Sequence, residues 1–286
     1  MSQHKEQQGF VTFAQNTDKV DYLELAYLQA LNIKATQKNN RYAVIVDATT
    51  KEKVNDKHRN TFDYIIDIPN DYNDSTSNRK FANEHQVFWL TPFKETIKLE
   101  SDLLFTRSID HWWTAFRLRN VCLSTGAKDF LGLSAGIRKY RQLFDDNNLP
   151  DVYNGLMYFR YSQDSSTFFK LAEIIARDWD SISKQLKGCT EESPSTDVLY
   201  ALTALVCGEE MCTMPSMDFV NFVHMKSGFN GWSDSRSWLE TVMNERDGDI
   251  IRINNLNQYN PVHYYDKTYA NQELIKYYEQ RILERS

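Results

Sequence analysis

Thr91–Asp110 reads TPFKETIKLESDLLFTRSID, and the fold turns on this stretch. An apolar strand in it ends on two carboxylates, Glu100 and Asp102, separated by Ser101. Side chains two apart on a strand point to the same face, so both acids are expected to project together from the strand's end. Two carboxylates on one face repel unless a cation lies between them or one takes up a proton. Hard divalent cations prefer such oxygen ligands and leave the rest of their shell to water and phosphates. The pattern therefore points to a site where Mg²⁺ or Mn²⁺ holds a nucleotide diphosphate, with a solvated strand end as the alternative.

Working outward, the preceding hundred residues repeat a strand–helix theme. Gly9–Ala14 (GFVTFA) reads as a strand and is followed by the polar turn Gln15-Asn16-Thr17-Asp18. A helix comes next, with Val20, Leu23, Tyr27, Ala30 and Leu31 on one face and Asp18 as its expected cap. Tyr42–Val46 (YAVIV) is a continuous apolar run of the kind a buried parallel strand needs, and it ends at Asp47. Phe62–Ile68 repeats the pattern and stops at Pro69. Strands alternating with helices imply βαβ units and an open parallel sheet, whose ligands bind at the carboxyl ends of the strands. Gln15, Asn16, Asp47, Glu100 and Asp102 all fall at such ends.

Beyond Asp102 the pattern is mixed. Trp112 and Trp113 read as core. Asp145–Pro150 (DDNNLP) predicts a turn, and Val152–Tyr161 a strand entered through Asn154-Gly155. Ser166–Lys187 reads as an amphipathic helix and Thr196–Cys207 as an apolar one. Asp218–His224 reads as a strand leading to Lys226, and Asn271–Ser286 as a closing helix. The late cluster His263-Tyr264-Tyr265-Asp266-Lys267 reads either as a surface turn or as part of an acceptor side.

The bulk numbers fit a soluble globule. Of 286 residues, 41 % are hydrophobic, 13 % aromatic and 25 % charged. A net charge of −6 excludes an overall basic nucleic-acid footprint, leaving only a local basic face. The four cysteines form no C-x-x-C pair, which predicts free thiols in a reducing compartment. The polar start MSQHKEQQ shows no signal peptide, and no apolar run approaches the ~20 residues of a membrane span. A cytoplasmic protein is expected.

Taken in order, PFKETIKLESD, NGLMYFR, DVLYAL and FVHMKSGFNGW resemble a GT-A-type nucleotide-sugar glycosyltransferase across roughly residues 9–240. In that superfamily a strand ends in D-x-D, here Glu100-Ser101-Asp102, with Glu100 in place of the usual aspartate. The resemblance implies one GT-A-like α/β domain over 1–286, with a Rossmann-like, mostly parallel sheet flanked by helices. About 9–110 would be the nucleotide-binding half, and about 111–286 the sugar and acceptor half. It implies Asp102 and His224 as metal ligands for Mn²⁺ or Mg²⁺. Ala14, Gln15, Asn16, Asp47, Lys94, Glu100, Ser101, Gly155, Lys226 and Trp232 would line the donor. Asn154 would bond the donor sugar, and Asp197 would be the candidate general base, with helix capping as its alternative role.

The sequence is also similar to glycosyltransferase-like proteins of large tailed phages, some of which modify hydroxymethylated DNA bases. Together these resemblances imply a metal-dependent glycosyltransferase using a nucleoside diphosphate sugar, UDP-linked by expectation, with modified DNA as the acceptor. Arg117, Arg119, Lys128, Arg138, Lys139 and Arg141 are the candidates for its DNA-facing surface. A polysaccharide or protein acceptor, or a nucleotide-sugar-binding protein without catalysis, are the alternatives. A nucleotidyltransferase falls behind, because its Gly-rich loop after the first strand is missing from Gln15–Asp18.

Overall fold

The computed structural model describes residues 6–72, 80, 82–134, 141–214, 221–226 and 237–284. Its strands are β1 (Glu6–Ala14), β2 (Tyr42–Val46), β3 (Tyr64–Asp67), β4 (Phe93–Leu99), β5 (Leu103–Leu104), β6 (Val121–Thr125), β7 (Val152–Arg160), β8 (Val223–His224), β9 (Asn244–Asp247), β10 (Ile250–Ile253), β11 (Leu256–Gln258) and β12 (Val262–His263). Six of them form the central sheet in the order β3-β2-β1-β4-β7-β6. The first four run parallel, while β7 lies antiparallel to both β4 and β6.

The β1 sequence explains how the sheet is covered on both faces. Phe10 and Ala14 pack into one apolar layer, and Val11 and Phe13 into the other. Alternate side chains of a strand point to opposite faces, so an unbroken apolar run needs a cover on each side. On the first face lie the helices Tyr22–Thr36 and Gln272–Leu283; on the second lie Gln163–Arg177 and Thr196–Cys207. The expected mostly parallel α/β sheet with flanking helices is therefore present. Among the described residues no helix is long and apolar enough to cross a membrane.

Several local expectations are corrected. The first helix is capped by Asp21, whose side chain accepts the Glu24 N–H; Asp18 stays outside in the turn. Asp145–Asn147 belongs to a short helix, Gln142–Asn147, and only Asn148 turns left-handed at φ 51°. Asparagine tolerates that backbone region, so it can end a helix where a turn was expected. Asn154 and Gly155 lie inside β7 and not before it. The long helix expected over 166–187 breaks at Asp178 into Gln163–Arg177 and two shorter turns. Of the expected strand Asp218–His224, residues 218–220 lie outside the described residues, Asn221 and Phe222 are irregular, and only Val223–His224 is strand.

Two buried amides among the apolar residues of the first helix shape the loop after β4. Gln29 Nε2 donates to the carbonyls of Glu100 and Leu103, both at 2.7 Å. Asn32 Nδ2 donates to the Phe105 carbonyl at 2.9 Å, and its Oδ1 accepts the Phe105 N–H at 2.7 Å. Buried polar groups must be paired, so these amides hold the acid-bearing loop to a rigid helix.

Candidate functional site

The loop that comes after β4 is pinned from three sides. The Glu100 N–H donates to the Gly155 carbonyl at 3.0 Å, which extends the pairing of β4 with β7. Past it, β5 joins a small sheet, β5-β12-β8. There His263 sits opposite Leu103 on one side and His224 on the other. The Tyr264 N–H also donates to the Asp102 carbonyl at 3.0 Å. This long-range pairing brings a histidine from near the chain's end onto the acid pair.

The resulting cluster is Glu100, Asp102 and His263. His263 Nε2 lies 2.8 Å from Asp102 Oδ2 and 3.0 Å from Glu100 Oε2. Lys267 Nζ donates to the same Asp102 oxygen. One ligand atom from each of Glu100, Asp102 and His263 falls within 4.8 Å of the others. Burial alone would raise the pKa of Asp102, but the charges of His263 and Lys267 outweigh it and hold the carboxyl well below its usual range. For Glu100 burial prevails, and its pKa is raised. For His263 burial pulls the other way, and the two carboxylates keep the ring's pKa above the usual value.

Two oxygen donors and one imidazole on a shared point are the donor types that Mn²⁺ and its relatives accept. His263 Nδ1 is buried without a hydrogen bond among the described residues, as a ring oriented through its other nitrogen can be. The residues therefore fit a divalent ion. The ring of His224 lies flat on that of His263, with centroids 4.6 Å apart and planes 6° from parallel. Burial, and then the charge of His263 and Lys226, push the His224 pKa well below 6.5, so the ring is neutral. The structure thus places His263 among the acids and His224 one layer behind it.

The cluster opens into a cavity of about 560 Å³, within the usual range for small-molecule sites. Gln15, Ser101, Gly155, Asp197, Lys226 and Lys267 are among its lining residues. Gln15 is oriented by a bond to the Lys80 carbonyl at 2.9 Å and another from Asn83 at 2.8 Å. Gly155 is there because nothing larger fits: a Cβ would come within 2.7 Å of the Phe222 ring. On the rim Tyr265 adopts φ 58°, a strained backbone for an aromatic residue, between Lys226 and Lys267.

Other expected donor residues have different work. Asp47 caps the helical turn Ala48–Lys51 through the Thr50 N–H and pairs with Lys80 at 2.6 Å. Asn16 bridges Asp21 and the Leu23 N–H, fixing the start of the first helix. Ala14 is fully buried at the end of β1. Lys94 is a correction: it is exposed at the start of β4, six residues before Glu100. At about 3.3 Å per residue that is roughly 20 Å from the acids, beyond a lysine's reach. Trp232 lies outside the described residues, as do Arg138 and Lys139.

Asp197 and Arg141 also differ from expectation. Asp197 Oδ2 accepts from Arg141 Nη1 at 2.9 Å, and Oδ1 accepts the Asn154 N–H at 2.7 Å. With both oxygens held, it acts here as a strut in the cavity wall; the helix cap position belongs to Ser195. Arg141 was expected on a DNA-facing surface, yet it is 1 % exposed, bonded to Asp151 and Asp197 and laid over Phe144 and Tyr153. Arg117 pairs with Glu95 at 3.0 Å, near the start of β4 and away from the acids. Arg119 bonds the Glu210 and Thr213 carbonyls.

Sequence reasoning missed a buried pair in the same wall. Lys98 of β4 is fully buried and ion-paired to Glu84, and Glu84 also accepts from Asn154 Nδ2 at 3.4 Å. The only signal in the sequence is a lysine inside an apolar strand, which tells of a partner without naming it. His263 carried even less, because its role depends on pairing with residues some 160 positions earlier.

No protein-family model matches the chain, and no curated protein matches it. Solved structures do. The galactosyltransferase LgtC, in complex with donor and acceptor sugar analogs, is 11 % identical and superposes with a TM-score of 0.50, covering 96 % of this chain and 95 % of LgtC. Mouse xyloside xylosyltransferase 1 gives 0.47 at 10 % identity, over 76 % of this chain and 87 % of that one. The bifunctional glycosyltransferase WbbM gives 0.47 at 10 % identity over 80 % of this chain, which spans 41 % of WbbM. At such identities the likeness is one of fold, and on the LgtC match the chain has the GT-A glycosyltransferase fold.

Proposed function

We propose that this protein is a metal-dependent glycosyltransferase that moves a sugar from a nucleoside diphosphate sugar, UDP-linked by preference, to an acceptor hydroxyl. The observation that carries the reading is the convergence of Glu100, Asp102 and His263 at the mouth of a cavity large enough for such a donor. Breaking an anomeric carbon–diphosphate bond puts negative charge on the leaving group, and fixed positive charge there lowers the barrier. A bound Mn²⁺ or Mg²⁺ would supply Lewis-acid stabilisation of that charge. Asp102, Glu100 and His263 would hold it. Lys226 and Lys267 line the same cavity and add cationic groups for the diphosphate. Gln15 lies at the β1 end of the cavity, where a base would be read. Gly155 and Asp197 line the cavity where the donor sugar would rest, and Asn154, expected to bond that sugar, instead braces the wall through its N–H to Asp197 and its amide to Glu84.

Titration calorimetry of UDP and UDP-sugars, with and without Mn²⁺, on wild type and Asp102→Ala tests this. Metal-dependent binding lost in the variant is the expected result; absence of any metal-dependent uridine or guanosine diphosphate binding overturns it. For the acceptor we propose a hydroxymethylated base in DNA, a reading supported by the sequence resemblance alone. Transfer to such DNA should weaken steeply as salt rises. A salt-independent rate, or transfer only to polysaccharide or protein, overturns that acceptor.

A further inference from the structure

A second, smaller cleft of about 220 Å³ lies on the other side of the turn that walls the main cavity. The turn is the short 3₁₀ segment Glu84–Gln86. Glu84 faces the main cavity and its neighbour His85 the smaller one, so a single rigid turn separates the two. That turn is firmly held. Asn83 bonds Gln15 on one side and accepts the Tyr72 N–H on the other, and the Tyr200 hydroxyl donates to the Glu84 carbonyl.

The walls of this cleft have a distinct chemistry. Tyr72 and Trp89 are exposed by 56 % and 41 %, large apolar rings left facing solvent beside a concavity. Tyr72 leans on His85, with ring centroids 5.6 Å apart, and Trp89 is set edge-on to the buried Phe88 at 5.6 Å. Each ring thus has one aromatic neighbour on the protein side. The same cleft is lined by the polar groups Gln86, Glu173 and His85. His85 is 5 % exposed; the Ala82 backbone bonds its ring, and its Nδ1 is buried without a partner among the described residues. Burial pushes the pKa of His85 down against the opposite pull of Glu173, which leaves the ring neutral.

Exposed aromatic faces beside uncharged and anionic hydrogen-bonding groups in one cleft suit a ligand with an apolar C–H face and a ring of hydroxyls. A pyranose has both: its C–H face stacks on an aromatic ring, and its hydroxyls donate to carboxylate and imidazole. A phosphate or nucleic-acid backbone is poorly served, because no lysine or arginine among the described residues lines the cleft. We propose that Tyr72, His85, Trp89 and Glu173 form a saccharide-binding site separate from the candidate catalytic cavity, one that takes a neutral oligosaccharide. It needs neither nucleotide nor metal, so it stands or falls independently of the transferase reading.

Saturation-transfer NMR of the full chain, without metal or nucleotide, tests it with cellotriose, maltotriose and triacetylchitotriose as probes. At least one should bind saturably. Trp89→Ala and Tyr72→Ala should each weaken that binding about tenfold, while Trp89→Phe, which keeps a stacking ring, retains most of it. Thermal melts of the same variants confirm that they are folded, as expected for side chains so exposed. Failure of all three saccharides to bind, or binding that Trp89→Ala leaves unchanged, overturns the site. Binding of tetramethylammonium in place of every saccharide also overturns it, by showing a cation cage built on Glu173 and the rings.

Discussion

His263 Nε2 lies within hydrogen-bond distance of both Asp102 and Glu100, at 2.8 and 3.0 Å, although 161 residues separate it from Asp102. One imidazole nitrogen between two carboxylates is held by charge, and on the proposed reading a divalent cation takes the place of its proton and is shared by all three groups. We therefore expect His263→Ala to weaken Mn²⁺-dependent UDP binding by about 10- to 100-fold, a loss at least as large as that for disturbed metal-site partners. His224→Phe keeps the stacked ring and should cost less. Calorimetry on the two variants separates them; equal losses would place both imidazoles on the ion.

Metal binding should also be visible as stability. A ligand that binds only the folded state at 100 times its Kd adds about 2.7 kcal/mol, which for a chain of this size is a rise in Tm of roughly 4–5 °C. Scanning calorimetry with saturating Mn²⁺ should show that rise in wild type. Asp102→Asn should abolish it, and an unchanged wild-type Tm would count against the site.

Gly155 tests the packing of the cavity floor. Its missing Cβ leaves room for Phe222, whose ring would otherwise lie 2.7 Å away. Gly155→Ala should destabilise by about 1–3 kcal/mol through overpacking. Adding Phe222→Leu should recover part of that loss, a non-additivity that a double-mutant cycle in urea would read.

Arg141 ties Asp151, Asp197 and the Val152 carbonyl together in the wall of the same cavity. Removing it leaves two carboxylates facing each other without their cation. Arg141→Met should therefore cost up to about 3 kcal/mol, the low end for a broken buried pair because both acids keep some solvent contact. Arg141→Lys should not rescue it, since an ammonium cannot bridge three acceptors in one plane. Chemical denaturation of both variants provides the comparison.

Glu24 supplies a pH dependence away from the site. The His58 ring, against the opposing effect of burial and with Lys57 adding, holds the Glu24 pKa down to about 2. A carboxyl lowered in the folded state stabilises fully above its unfolded value, near 4.5. That contribution fades as pH falls toward 2. Being partly solvated, it is worth about 1 kcal/mol. Glu24→Gln should lower stability by this amount at pH 6, and the two stability curves should converge near pH 2.

Much of the fold was legible because its signals are local. Tyr42–Val46 is a run that only a strand buried on both faces can accommodate, and it forms β2 with those bounds. Thr196–Cys207 is apolar over three turns and forms a helix with those bounds. Trp112 and Trp113, expected in the core, are buried. The breaks were less legible. Asn154-Gly155 has the letters of a turn, yet lies within β7, where the close approach of Phe222 requires glycine.

The order of strands and helices, the open parallel sheet and the placing of Glu100 and Asp102 at a strand's carboxyl end are all written in the linear chain. These depend on side-chain period and on the preferences of each short segment, which neighbours in the chain settle. What meets those acids is a matter of the closed fold. The pairing of β12 with β5 and β8 sets His263 and Lys267 upon them, and leaves His224 stacked behind. The fold also drew Arg141 inward to Asp197 and left Lys94 at the far end of its strand. Such contacts join residues tens to hundreds of positions apart, and their energies come from desolvation and charge that exist only once the chain has closed around them.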